Sequence, residues 1–293
     1  MHIGKTDLPE ERVVALIKAI KQKKELREVS DAFVQDQLFH YFLKSPKMIS
    51  VLGNPRSADY KKIIKEVRAI LRRVYGLFRV EQGAAERREL VEKIATMSLA
   101  EQAIYIPRLL ATHSSTKERL AHYEELYQKI WKITGIPTKI IDLGCGINPF
   151  SISLMDLPTL EYYAYDISEE EISLLQQFFR TQHRLNHSFK GVAEILDVLH
   201  FASLEKLRKV NVCFLFKMTD VLDRGKGHKV TEEVLRRVPA RFVVVSFATK
   251  TMSGKTMTAP RRRWMEWLCQ RLGWTYTLVE IPNELFYVIQ KHF

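Results

Sequence analysis

The stretch Ile140-Ile-Asp-Leu-Gly-Cys-Gly-Ile-Asn-Pro149 constrains the fold more than any other part of this chain. A short strand pattern runs straight into Asp142-Leu-Gly-Cys-Gly146, after which the chain turns apolar again. Glycines at the end of a buried strand let a ligand approach the backbone closely. In an open α/β sheet, the crevice beyond the strand ends is where ligands sit. Gly-x-Gly alone is generic, so its surroundings decide what it means.

Those surroundings describe a parallel sheet. Apolar runs at 139–143, 161–165, 193–196, 212–217 and 241–247 alternate with amphipathic helical patterns, as βαβ units do. The chain closes on Tyr276–Gln290, two strand patterns around a Pro282-Asn-Glu turn, which adds an antiparallel hairpin at one edge. The layout predicts an α/β fold: a seven-stranded, Rossmann-like sheet with a C-terminal antiparallel hairpin. That is the class I S-adenosylmethionine-dependent methyltransferase fold. A dehydrogenase-type dinucleotide fold wants Gly-x-Gly-x-x-Gly, and here the third glycine position is Pro149.

Residues before 113 read as helical. Pro9-Glu-Glu-Arg12 opens a helix whose Val13, Leu16, Ile17 and Ile20 recur at helical spacing. A second helix spans 30–43 with Ser30 as its cap, and a third starts at Ser57-Ala-Asp59 and runs to about Val74. No strand alternation precedes residue 139. The expected organisation is an all-helical N-terminal domain over 1–112, in two subdomains divided near 53–56 at Gly53-Asn-Pro55, then an α/β domain over 113–293.

Charge narrows the partners. The net charge is +12, and residues 1–112 hold 21 basic against 14 acidic residues. Residues 241–263 hold six basic residues and no acid. Such a chain favours a polyanion: nucleic acid or an anionic membrane surface. No apolar run approaches a membrane span and the N-terminus lacks a signal-peptide core. Cys145, Cys213 and Cys269 are too few and too spread for a zinc site or a disulfide framework. A cytoplasmic protein without a metal is expected. On the third helix Lys61, Lys65, Arg68 and Arg72 share one face, with Lys62 beside them and Ile63, Val67, Ile70 and Val74 opposite. That stripe can track RNA phosphates. A second cationic site is the loop 249–263, with Lys250, Lys255, Arg261, Arg262 and Arg263 around the flexible Gly254, expected to order on RNA. Trp264 and Trp267 are expected to pack the helix that follows.

The strand ends carry the candidate cofactor residues. Asp142 stands beside the glycine turn, where it can also cap the next segment. Asp166, followed by Ile167, ends the second strand, where a carboxylate accepts ribose hydroxyl protons. Asp197 with Val198 follows the third strand and suits an adenine edge and ring; a plain loop aspartate is the alternative. Phe216, Lys217 and Met218 end the fourth strand, where a transferred group would be faced; a solvent-exposed lysine is the alternative. In His113-Ser-Ser-Thr-Lys-Glu-Arg119, Ser115 or Thr116 can cap a helix. One turn in, Arg119 can clamp a carboxylate as a bidentate pair or form a surface salt bridge.

Taken in order, His113-Ser-Ser-Thr-Lys-Glu-Arg-Leu, Ile141-Asp-Leu-Gly-Cys-Gly-Ile-Asn-Pro, Asp197-Val-Leu, Phe216-Lys-Met-Thr-Asp-Val-Leu-Asp-Arg224, Val245-Ser-Phe-Ala-Thr-Lys250 and Asn283-Glu-Leu-Phe-Tyr-Val-Ile resemble one family. It is the aminoglycoside-resistance 16S ribosomal RNA methyltransferases, which methylate N7 of a decoding-site guanine (guanine 1405). The resemblance covers about 60–290. It implies S-adenosylmethionine as methyl donor, S-adenosylhomocysteine as product, and a helical N-terminal region that docks on the 30S subunit. By position it implies Arg119 on the methionine carboxylate with His113 and Ser115 near it, and Gly144 under the cofactor. It puts Asp166 on the ribose, Asp197 and Val198 on the adenine, and Phe216 and Lys217 at the methyl-transfer pocket. The chain departs from the family in one loop. Where the family carries an acidic residue and then a tyrosine before tryptophan, this chain has Thr258 and Arg261 ahead of Trp264.

Guanine N7 is a lone-pair nucleophile without a proton, so no general base is expected and the chemistry is alignment. The base must leave its stack, with Phe216 and Met218 as apolar contacts and Lys217 or Lys250 on guanine O6. A monomer is expected. The alternatives are methylation of N1 of a neighbouring adenine (adenine 1408), or a non-catalytic RNA-binding or assembly factor on the same fold.

Overall fold

The computed structural model describes residues 2–3, 6–27, 29–75, 83–223, 227–250 and 257–292. The chain forms two compact units: Met1–Glu81 with Ile167–Glu169, and Gln82–Asp166 with Glu170–Phe293.

In the first unit β1 (His2–Ile3) and β2 (Thr6–Asp7) pair antiparallel, ahead of α1 (Glu10–Ile20), α2 (Asp31–Lys44) and α3 (Ala58–Tyr75). Two-residue strands are too short to show any alternation, which is why the sequence reads as helical throughout. Ser30 caps α2 by accepting the Phe33 N–H. Leu16 and Ile20 of α1, Val34 and Leu38 of α2, and Ile63 and Val67 of α3 meet in one core. Leu52 and Tyr60 join the same core from either side of 53–56. The expected subdomain break is therefore a tight turn inside a single packed body.

The second unit opens with α4 (Gly83–Ile94), α5 (Leu99–Leu110), α6 (Ser114–Arg119) and α7 (Tyr123–Thr134). Then come β3 (Lys139–Leu143), β4 (Leu160–Asp166), α8 (Glu169–Leu185), β5 (Phe189–Ile195), α9 (Phe201–Leu204) and β6 (Val210–Phe216). The chain ends with α10 (Thr219–Asp223), α11 (Lys229–Arg237), β7 (Ala240–Ala248), α12 (Arg263–Arg271), β8 (Thr275–Ile281) and β9 (Glu284–Gln290). The seven strands run β5-β4-β3-β6-β7-β9-β8. The first five are parallel, and β9 enters antiparallel between β7 and β8. Side chains alternate between two layers, as strand geometry requires. Ile140, Tyr162, Phe214 and Phe286 face a layer with Tyr127 and Phe178. Ile141, Leu215 and Val245 face the other, with Leu235 and Met265.

Helices α4 and α5 share the core of this unit through Leu90, Ile94, Ile106 and Leu110. Arg87, buried on α4, pairs with Glu171 at 3.0 Å and donates to the Thr112 hydroxyl. A Cβ on Gly83 would lie 2.5 Å from the Thr112 carbonyl oxygen, so only glycine admits that approach. The units thus divide at 81–82, upstream of the expected boundary at 112. Helices α6 and α7 follow past 112, α7 packs into the same core, and the switch from helix to strand comes only at Lys139. No described helix is long and apolar enough to cross a membrane.

Candidate active site at the carboxyl end of the sheet

Strand β3 leaves the sheet through Gly144 (φ +63) and Gly146 (φ +49). A Cβ on Gly144 would lie 2.3 Å from the Met218 sulfur, so the turn presents bare backbone toward Met218, the second residue past β6. The turn is tied to β4: the Cys145 N–H donates to the Tyr165 carbonyl at 3.0 Å, and the Gly146 N–H to Asp166 Oδ2 at 2.8 Å. Asp142 is buried and accepts from the Tyr162 hydroxyl at 2.7 Å and the Asn148 amide at 2.8 Å. Burial outweighs both bonds and lifts its carboxyl to about 6. Asp142 anchors the turn through Asn148.

Behind the turn lies a buried polar chain that joins four strands. Arg119 donates Nε–H to Glu284 at 2.8 Å and Nη1–H to Asn148 Oδ1 at 3.0 Å, with its guanidinium 4.9 Å over the Phe216 ring. Burial opposes the charge of Arg119, but Glu284 more than offsets it and raises its pKa. The second Glu284 oxygen accepts the Ser246 hydroxyl proton, and Ser246 Oγ accepts the Lys217 N–H at 3.0 Å. Lys217 holds φ +54, a strained backbone for a side chain with a Cβ. Its Nζ pairs with Glu118 and lies 3.8 Å from Glu284. The exposed-lysine and surface-salt-bridge alternatives both give way. Lys217 is half-buried, and Arg119 is sealed in while Glu118 serves Lys217. The bidentate clamp also changes: Nε and Nη1 are spent on protein, which leaves Nη2 without a bond among the described residues.

The other expected cofactor residues fall as follows. His113, buried, is the residue before α6 and lies 3.0 Å from the Ser115 hydroxyl through Nδ1. Neither Ser115 nor Thr116 caps the helix; Thr116 donates back to the Leu110 and His113 carbonyls. Asp166 is half-buried at the tip of β4. Ile167 packs against the core of the first unit, with its carbonyl taken by the Ser30 N–H, so its side chain is committed there. Asp197 Oδ1 accepts the Leu199 N–H at 2.9 Å, and Val198 is buried in the second layer. Phe216 is buried against Phe214 and Phe286.

The cationic residues divide sharply. Lys61, Lys62 and Lys65 are exposed and have no ion pair among the described residues. Arg68 turns onto the end of α1, where helix carbonyls lack partners: it donates to Ile20 at 3.0 Å and Ala19 at 2.6 Å. Arg72 forks onto Glu25 at 2.9 and 2.7 Å. These two arginines are structural, which halves the expected four-residue stripe. In the loop before α12, Arg261 pairs with Glu266 at 2.8 Å. Arg262 donates to Pro260 and Ala248 and covers Phe247 at 5.2 Å, so it too is spent inside the fold. Lys250 and Arg263 are exposed, as is Thr258. Lys255 lies outside the described residues. Trp264 packs as expected, but Trp267 is 67% exposed.

Sequence reasoning assigned no role to Asn148, Ser246 or Glu284. Their signal was present: Ser246 and Glu284 are polar residues in mostly apolar strands, brought close together by the antiparallel register Ala248↔Glu284.

Comparison with known proteins places this architecture. The 16S rRNA (guanine(1405)-N(7))-methyltransferase of Proteus mirabilis is 28% identical over 250 residues, covering 79% of this chain and 85% of that protein. The enzyme of the same name from Micromonospora echinospora is 28% identical over 295 residues, covering 98% and 99%. The crystal structure of 16S rRNA methyltransferase RmtF in complex with S-adenosyl-L-homocysteine has the same fold, with a TM-score of 0.74 at 21% identity over 98% of this chain and 100% of that one. The family model described as ribosomal RNA methyltransferase (FmrO) matches residues 50–288, and the chain belongs to that family.

Proposed function

We propose that this protein methylates N7 of guanine 1405 in the decoding-site helix of 16S rRNA, using S-adenosylmethionine, and thereby gives resistance to aminoglycosides. The observation that carries this reading is the family match over residues 50–288 on a chain that keeps the bare glycine turn at the end of β3.

The residues present suit the methyl donor. Gly144 offers backbone without a side chain, Asp166 and Asp197 stand at the ends of β4 and β5 for ribose and adenine, and Val198 gives an apolar face. Arg119, at the end of α6, offers one remaining donor edge to a carboxylate, with His113 and Ser115 at the start of the same helix. Bound there, S-adenosylmethionine supplies an electrophilic sulfonium methyl. Guanine N7 has a lone pair and no proton to lose, so the chain contributes alignment. Phe216, Lys217 and Met218 border the target, with Lys217 or Lys250 available to guanine O6. Lys61, Lys62, Lys65, Lys250 and Arg263 are the cations that remain for RNA phosphates. The substrate form is the assembled 30S subunit, the enzyme acts as a monomer, and the compartment is the cytoplasm.

The test is methyl transfer from S-adenosylmethionine to purified 30S subunits, with mass spectrometry of nuclease fragments. A methyl on guanine 1405 is the expected result. A methyl on adenine 1408 would move the reading to the N1 enzymes. Absence of transfer would favour a non-catalytic RNA-binding factor.

A further inference from the structure

His228, the residue before α11, lays its imidazole flat on the Trp264 indole, 3.7 Å between centroids and 9° from parallel. Trp264 in turn meets Phe247 edge-on at 5.9 Å, and Phe247 is buried in β7. The imidazole is pinned along one edge as well. Its Nδ1 lies 3.2 Å from Asp223, a buried carboxylate that also accepts the Thr231 N–H at 2.9 Å and the Thr231 hydroxyl at 2.7 Å. One face and one edge of His228 are thus taken, yet 46% of the side chain stays exposed. Among the described residues, neither the far face of the ring nor Nε2 has a partner.

The stack Phe247–Trp264–His228 is therefore rooted in the sheet and ends in a fixed, open, flat ring. Its root Phe247 lies near the carboxyl end of β7, next in the chain to Ser246, which pairs with Phe216 of β6; Phe247 faces the layer of the sheet opposite Phe216. The chain neighbours of the two rings, Lys229 and Arg263, are exposed cations with no ion pair among the described residues. Packing alone would place an apolar residue at the end of such a stack, or cover it. A held aromatic face flanked by cations is the arrangement by which proteins grip unpaired RNA bases and their phosphates. We infer that His228 stacks on an unpaired nucleobase next to the target guanine, with Lys229 and Arg263 on the adjoining phosphates. This rests on the rRNA methyltransferase reading above.

The experiment compares wild type, His228→Ala and His228→Phe in methyl transfer to purified 30S subunits, with the methyl-donor Kd measured by calorimetry and thermal melting as controls. His228→Ala should raise KM for the subunit about fivefold or more, the low end of one lost base stack, with donor affinity and melting unmoved. His228→Phe, which keeps a flat ring but no nitrogen, should bring KM back to near wild type. An unmoved KM in His228→Ala, or a phenylalanine variant as poor as the alanine one, overturns the platform while the function stands. Wild-type protein that transfers no methyl overturns the function, and the platform with it.

Discussion

Arg119 and Glu284, 165 positions apart in the chain, form an ion pair at 2.8 Å with both side chains almost sealed from water. Asn148, Ser246 and the Lys217 backbone are joined to that pair by hydrogen bonds. A buried pair is weak evidence for net stability, but removing one member leaves an uncompensated charge.

Glu284→Ala should therefore destabilise the fold by about 3–5 kcal/mol, read from urea unfolding. Donor affinity should fall with it, since Arg119 loses its anchor. Glu284→Gln keeps the shape and the Ser246 bond and should cost less than the alanine change. Equal losses in the two variants would show that the charge alone, not the shape or the Ser246 bond, is what Glu284 contributes.

Gly144 is the second test. Alanine there adopts φ +63 at a cost of about 1–2 kcal/mol, and its Cβ displaces the Met218 side chain. Gly144→Ala should fold with a reduced melting temperature. It should lose about tenfold or more in methyl-donor affinity by calorimetry, from a strain of this size appearing at the site. Unchanged donor affinity would remove Gly144 from the cofactor site.

Asp142 makes stability depend on pH. Its carboxyl is lifted from 3.8 to about 6, because burial disfavours the anion more than the Asn148 and Tyr162 bonds favour it. A native pKa above the unfolded one means that the native state binds the extra proton. The contribution is full below about pH 4 and is lost as pH rises through about 6. Parallel urea titrations of wild type and Asp142→Asn should show wild type losing stability relative to the variant across that window. A flat difference would place the Asp142 pKa at its ordinary value.

The cations of α3 separate binding from folding. Replacing Lys61, Lys62 and Lys65 together with alanine should weaken 30S binding and flatten its salt dependence by up to about 2–3 units of log–log slope, with the melting temperature unchanged. Arg68→Ala should do the reverse. It leaves the Ile20 and Ala19 carbonyls unserved and costs about 1–3 kcal/mol of stability, with the salt slope kept. A salt slope that survives the triple lysine change would assign RNA docking elsewhere.

Much of this was legible beforehand because it is local. The alternation of strand and helix patterns, the glycine turn, the Ser30 cap and the closing hairpin are each set by residues within a few positions of one another, and each stands where the sequence indicates, except that β5 begins at Phe189, four residues ahead of the apolar run at 193–196. The boundary near 82 was not legible. Helices α4 and α5 have the same hydropathy pattern whichever core they join, and Arg87 meets Glu171 only after folding. The arginines fared likewise. Arg68 and Arg72 share a helical face with Lys61 and Lys65, but helical periodicity says nothing of an α1 terminus or of Glu25 lying within reach.

By itself, then, the sequence determined the sheet class, the strand ends near which Asp142, Gly144, Asp166 and Asp197 stand, and the basic character of the chain. Those follow from backbone sterics, periodicity and charge, which act over short range. Tertiary structure alone decided which polar residues are spent. It sealed Arg119 against Glu284, turned Arg262 inward over Phe247, and laid His228 on Trp264. The reason is physical: a buried charge must find its partner wherever the fold brings one, and the register that sets β9 beside β7 is a property of the whole sheet.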